Sequence, residues 1–157
     1  MFNPEKFDWR LFDKVENIPN IVVDWLLDNR SLTAKLREKY TDFNVKVVSQ
    51  QVDQPYPCES ALIDSYTEKI IIREVELIGN NMAVVFARSI IPVSSDTEEL
   101  LAIGSKPLGE ILFNDSRIIR GPLEVGKHNN SWARRSTFQI KNTKLLVSEI
   151  FLEQLYA

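Results

Sequence analysis

The chain has 157 residues, 44% hydrophobic and 26% charged, which excludes a disordered polymer and leaves enough apolar material for a buried core. With 19 basic and 22 acidic residues the formal net charge is −3, which excludes binding driven by a basic surface and predicts no nucleic-acid partner. No run approaches the ~18 consecutive apolar residues of a membrane span, and the opening from Met1 to Asp8 lacks a signal peptide's basic region and apolar run, so a cytoplasmic protein is expected.

No internal repeat, low-complexity tract or long linker divides the sequence, so residues 1–157 are expected to form a single domain. Ile21 to Asn29 is apolar and compact, a helix with Pro19 and Asn20 at its start. Ser31 has N-cap chemistry, and Leu32, Leu36 and Tyr40 recur at fourfold spacing, which predicts a second amphipathic helix. Val45 and Val47 alternate with polar neighbours and open a first strand. After a loop through Pro55 and Pro57, Ile70 to Leu77 has period-2 patterning. Gly79-Asn80-Asn81 then makes a turn, and Met82 to Ile91 returns as a hairpin stopped by Pro92. Ser95-Asp96-Thr97-Glu98 has the form of a capping box, ahead of Leu100, Leu101 and a terminating Gly104. Lys106-Pro107-Leu108-Gly109 leads into a short apolar stretch ending at Phe113. Ile118 to Val125, broken by Gly121-Pro122, reads as an irregular or edge strand. Trp132 to Ile140, a turn at Lys141-Asn142-Thr143, and Leu145 to Leu152 form the last pair. The fold class is therefore α+β: a single antiparallel sheet of about six strands with helices attached.

Strand parity singles out two charges. One face of the strand from Ile70 carries Ile71, Arg73, Val75 and Leu77, and one face of the last strand carries Leu145, Val147, Glu149 and Phe151. A charge on an apolar face is costly unless something pairs with it. Two readings follow. Arg73 and Glu149 form a buried salt bridge that fixes the fold, or both face a closed pocket. In the pocket, Arg73 would bind a carboxylate, which its planar fork matches, and Glu149 would handle a hydroxyl or a proton. Arg88 (with Val84, Phe86 and Ile90) and Arg134 (with Trp132, Phe138 and Ile140) also share apolar faces, where stacking or snorkelling competes with anion contact.

Other chemistries lack material. One cysteine, Cys58, fits a reducing compartment and reads as a bystander thiol; the one histidine, His128, reads as exposed in its turn-like segment. With so few such ligands no zinc site is expected. No G-x-S-x-G elbow and no Gly-rich phosphate loop occurs, so no cofactor is expected.

Over Asp24 to Leu152 the chain resembles the chorismate pyruvate-lyase family. The resemblance rests on Asp24-Trp25-Leu26-Leu27, Ser31-Leu32-Thr33, Arg73-Glu74, Ala87 to Ser94, Lys106-Pro107-Leu108-Gly109 with Leu112-Phe113, Trp132 to Ser136, and Leu145 to Leu152, in that order. It is weak from Ser49 to Lys69. The resemblance implies a monomer whose helices and flap-like loops enclose an internal ligand site. It implies an enzyme that splits chorismate into 4-hydroxybenzoate and pyruvate, the first step of ubiquinone synthesis, with slow product release. It places the carboxylate-binding arginine on Arg73, the catalytic glutamate on Glu149, and ligand-contacting backbone amides at Leu32 and Leu108. The architecture is also similar to the effector-binding domain of GntR-type regulators, so the alternative is a non-catalytic sensor of an aromatic acid. The roughly twenty residues ahead of the helix expected at Ile21 are too few to form the winged-helix segment of such regulators, so the enzyme is the expected reading.

Overall fold

The structure is a computed structural model that describes residues 2–27, 32–63 and 69–157. Strand β1 (Asp8–Leu11) comes first, then helices α1 (Asn20–Leu26) and α2 (Leu32–Lys39) and strand β2 (Phe43–Val52). Helix α3 (Pro57–Ser60), the hairpin β3 (Ile70–Gly79) and β4 (Met82–Pro92), and helices α4 (Glu98–Leu101) and α5 (Leu108–Asn114) follow. Strands β5 (Ile119–Arg120), β6 (Glu124–His128), β7 (Ser131–Ile140) and β8 (Thr143–Phe151) complete the fold. Among the described residues these strands make one antiparallel sheet of eight, in the order β1-β6-β7-β8-β4-β3-β2, with β5 also on β7.

The α+β class and the antiparallel sheet agree with the sequence reading; the strand number, about six, does not. Gly121-Pro122 divides the expected strand at 118–125 into β5 and β6, because Pro122 has no N–H to give a ladder. The other addition, β1, lies ahead of the helices expected to open the chain. It is held by Trp9, which is paired with Gly126. A Cβ on Gly126 would lie 2.7 Å from the indole, so the missing side chain is what lets Trp9 lie on the sheet. Two other expectations change locally. The capping box expected over Ser95 to Glu98 does not form, because α4 begins at Glu98 with Thr97 at its N-cap position and no side-chain cap. The Thr97 hydroxyl instead accepts from the Ser94 N–H at 3.0 Å and donates to the Pro92 carbonyl at 2.7 Å, tying the helix to the end of β4. His128 is half-buried, its ring 5.6 Å from that of Phe7. The N-cap expected at Ser31 lies outside the described residues.

Both long hairpins have two-residue turns, the first with Asn80 and Asn81 both in the left-handed region at φ 48° and 69°, the second with Lys141 there at φ 52° before Asn142. In the first hairpin Val84 is an extra residue, left unopposed between the pairs Ile78–Ala83 and Leu77–Val85. The bulge shifts every later pair by one, so Arg73 faces Ser89 and Glu74 faces Arg88. It also moves Val84 to the opposite face from Phe86 and Ile90, correcting the parity that grouped them.

One sheet face carries α1, α2, α4 and α5. Near the helical pair α1/α2 it is apolar (Leu77, Val85, Trp132, Phe151), and again near α4/α5 (Ile91, Phe138, Leu145). The opposite face is covered by the N-terminal segment and α3. There Glu59 of α3, fully buried, accepts from Arg88 Nε at 2.7 Å and Nη2 at 2.9 Å, while Glu74 accepts from Arg88 Nη1 at 3.3 Å. Through this network part of the weakly resembling 49–69 segment acquires a structural role, pinning α3 to the sheet. We expect Gly126→Val to drive Trp9 off the sheet and cost about 1–3 kcal/mol, read as a lowered midpoint in urea denaturation.

Candidate functional site

Between the two apolar zones the helix-covered face turns polar. One cross-strand row reads Arg73, Ser89, Val147, Ser136; the next reads Val75, Ala87, Glu149, Arg134. A cavity lies over these rows. The strands supply Arg73, Glu149 and Arg134, α2 supplies Leu32 and Thr33, α5 supplies Leu108, Leu112 and Phe113, and β5 supplies Arg120. All four site residues named from the sequence, Arg73, Glu149, Leu32 and Leu108, therefore line one cavity.

Arg73 is 2% exposed, and no carboxylate lies within ion-pairing distance of it among the described residues. Its guanidinium donates only to neutral oxygens: Nη1 to Gln50 Oε1 at 2.9 Å, and Nη2 to the carbonyls of Gly104 at 2.8 Å and Lys106 at 3.3 Å. Gly104 has φ +61°, the conformation that brings this loop round. Burial without a counter-ion pushes the Arg73 pKa down. The Nε–H and one Nη1–H remain for a ligand.

The Arg73–Glu149 salt bridge considered from the sequence does not form. Two strand spacings and two residues of register separate the pair, roughly 11 Å between Cα atoms. Glu149 is instead bonded by Arg134, whose Nε donates to Oε1 at 2.8 Å. Arg134 is 2% exposed, and its Nη1 donates to the carbonyls of Trp25 at 3.4 Å and Leu26 at 3.2 Å, locking the end of α1 to the sheet. It neither snorkels nor merely stacks. Arg135 points to other partners: its Nε donates to Glu124 at 2.7 Å, its guanidinium lies 4.2 Å from the Trp9 ring, and its Nη1 approaches Cys58 Sγ at 3.7 Å. Burial pushes the Cys58 thiol up, against the donation from Arg135, as suits a bystander.

Leu32 and Leu108 each occupy the first position of a helix, where backbone N–H groups have no intrahelical acceptor. No side chain caps α5. The two helices meet over the cavity, joined at their outer side by the ion pair of Arg37 with Glu110. The cavity has about 40 Å³ of free space, smaller than the ~150 Å³ of a cavity known to take up benzene. Among the described residues no group of three or more His, Cys, Asp or Glu side chains is placed to hold a metal ion, and no helix is long and apolar enough to cross a membrane.

Sequence reasoning underweighted Arg134. The usable signal was the last hairpin: with a two-residue turn at Lys141-Asn142, Arg134 falls directly opposite Glu149. The three-residue turn expected there would have shifted the register by one.

A buried cation without a counter-ion and an ion-paired carboxylate thus line one cavity on a helix-capped antiparallel sheet, an arrangement with the chemistry to take a small organic acid. The family described as Chorismate lyase matches the chain over residues 3–157. Relatives named "Probable chorismate pyruvate-lyase" include one from Aromatoleum aromaticum, 35% identical over 95% of this chain and 94% of that protein. Others come from Psychromonas ingrahamii (38% identical, over 83% of this chain and 82% of that protein) and Pseudomonas putida (34%, over 99% and 94%). The chain belongs to the chorismate lyase family and is an enzyme of the lyase class.

Arg134→Ala would leave Glu149 without its cation and two carbonyls without a donor. We expect a loss of about 3 kcal/mol in unfolding free energy. Glu149→Gln should cost clearly less, because the amide oxygen still accepts from Arg134; urea denaturation of both variants checks the order.

Proposed function

We propose that the protein converts chorismate to 4-hydroxybenzoate and pyruvate. The observation that carries this reading is Arg73: a guanidinium buried among carbonyl oxygens with no carboxylate partner, facing the same cavity as Glu149. Arg73 would hold the ring carboxylate. Glu149, from the other side, would take the hydroxyl-bearing end of the ring, and the first-turn amides of Leu32 and Leu108 would contact the ligand.

The reaction asks little of the protein. The C–H bond at the hydroxyl-bearing ring carbon breaks, as does the C–O bond from the neighbouring carbon to the enolpyruvyl group. The electrons left behind make the ring aromatic, and the departing enolpyruvate gains a proton to become pyruvate. Glu149 would assist that proton transfer, Arg134 keeping its Oε1 fixed and leaving Oε2 to the substrate. Closure of α2 and α5 would exclude water and hold the ring in its reacting geometry. The same enclosure would delay release of 4-hydroxybenzoate and make product inhibition part of the enzyme's behaviour. A monomer in the cytoplasm, supplying 4-hydroxybenzoate to ubiquinone synthesis, completes the reading.

The test is to mix purified protein with chorismate and follow both products by chromatography. We expect their equimolar appearance, with Glu149→Gln lowering kcat by about 10²–10⁴-fold while the melting temperature changes little. Tight binding of 4-hydroxybenzoate without turnover would replace the lyase by a sensor; neither binding nor turnover would overturn the reading altogether. Arg73→Ala should weaken 4-hydroxybenzoate binding by about 10–100-fold in calorimetry, and an unchanged affinity would remove the anchor role.

A further inference from the structure

The arginines at the cavity do not balance. Arg73, Arg120, Arg134 and Arg135 all line it. Arg134 is matched by Glu149 at 2.8 Å and Arg135 by Glu124 at 2.7 Å. Neither Arg73 nor Arg120 has a carboxylate within ion-pairing distance among the described residues. Chorismate, unlike 4-hydroxybenzoate, carries two carboxylates: one on the ring and one on the enolpyruvyl group.

We propose that Arg120 is the second anion-binding residue of the site, holding the enolpyruvyl carboxylate while Arg73 holds the ring carboxylate. The assignment rests on the chorismate reading above and extends it to a residue that strand parity did not reach.

Three observations support it. Arg120 is under-used by the protein: its Nε donates to Ser136 Oγ at a long 3.4 Å, and no protein acceptor for either Nη is found among the described residues. Its guanidinium packs against the edge-to-face pair of Phe113 and Phe138, with centroids 4.9 and 5.8 Å away, which orients it by cation–π contact while the residue as a whole stays exposed. It also reaches toward the Glu149 side of the cavity, since Ser136, which its Nε contacts, stands two residues from Arg134 on β7. Its charge is felt by Arg134 and Glu149, and burial together with repulsion from Arg134 lowers its pKa while Glu149 opposes the change. The enolpyruvyl group sits on the ring carbon next to the hydroxyl-bearing one, and so at the Glu149 end. An incoming carboxylate would relieve the desolvation and the repulsion together. Backbone geometry fixes the residue in place: the N–H of the next residue, Gly121, donates to the Thr137 carbonyl at 2.8 Å, and a Cβ there would lie 2.2 Å from Thr137 Oγ1.

The test compares two ligands that differ by this one carboxylate. KM for chorismate and the calorimetric Kd for 4-hydroxybenzoate are measured for the wild type, Arg120→Gln, Arg120→Lys and Arg73→Ala. We expect Arg120→Gln to raise KM about 10–100-fold while Kd for 4-hydroxybenzoate stays within about twofold, the retained affinity also showing that the variant folds. Arg120→Lys should fall between, and Arg73→Ala should weaken both ligands. An unchanged KM in Arg120→Gln, or equal losses for both ligands, would overturn the assignment and leave the lyase reading standing. A wild type that binds 4-hydroxybenzoate without turning over chorismate would overturn the lyase reading, and the assignment with it.

Discussion

A guanidinium buried with no counter-ion is the constraint around which this protein is arranged. Moving a charge out of water costs several kcal/mol even after relaxation, and Arg73 recovers part of that from carbonyl dipoles and one amide oxygen. Supplying those oxygens sets requirements well away from the residue. Gln50 must stand opposite on β2, and the Gly104–Lys106 loop must turn back over β3. What the carbonyls leave uncompensated is available to a ligand carboxylate. Affinity for an acid and stability of the fold are thereby linked, since an anion that binds only the native chain stabilises it.

The remaining charges are placed so that this imbalance survives. Glu149, which lines the same cavity as Arg73, is engaged by Arg134 one strand away. Glu74, adjacent to Arg73 in sequence, points to the other face and joins Glu59 on Arg88. The bulge at Val84 makes this second arrangement possible: without it Arg73 would stand opposite Arg88, two cations in register, and Glu74 would have no partner across the strand. An irregularity of one residue thus separates a binding face from a structural one.

Much of this was legible in the sequence, for identifiable reasons. Period-2 alternation in β3 and β8 exposed Arg73 and Glu149 as charges in apolar rows, and the turn chemistry of Gly79-Asn80-Asn81 and Lys141-Asn142-Thr143 marked both hairpins. Alternation tells which face a side chain takes but not which residue it meets, and that is where the reading failed. The partner of Glu149 depends on whether a turn has two residues or three, and the facing of Val84 on a bulge with no compositional mark. Arg120 lies in a segment too short and broken to have a period. Strand β1 owes its pairing to Trp9 lying on Gly126, a contact between residues distant in the chain, which no local pattern announces.

The interleaving of the two faces has a consequence for how such a protein can change. Along β3, β4 past the bulge, β7 and β8, neighbouring positions in the sequence serve different ends. One looks into the cavity and the next looks toward α3 and the N-terminal segment. Substitutions at alternate positions can drift independently, so descendants can retune the substrate or the scaffold without disturbing the other. Insertions and deletions have no such freedom. A single residue gained or lost within β8 would exchange Glu149 for Ser148 or Ile150 at the cavity wall, so lineages of this enzyme should vary in strand length only in pairs of residues, or only beyond the turns.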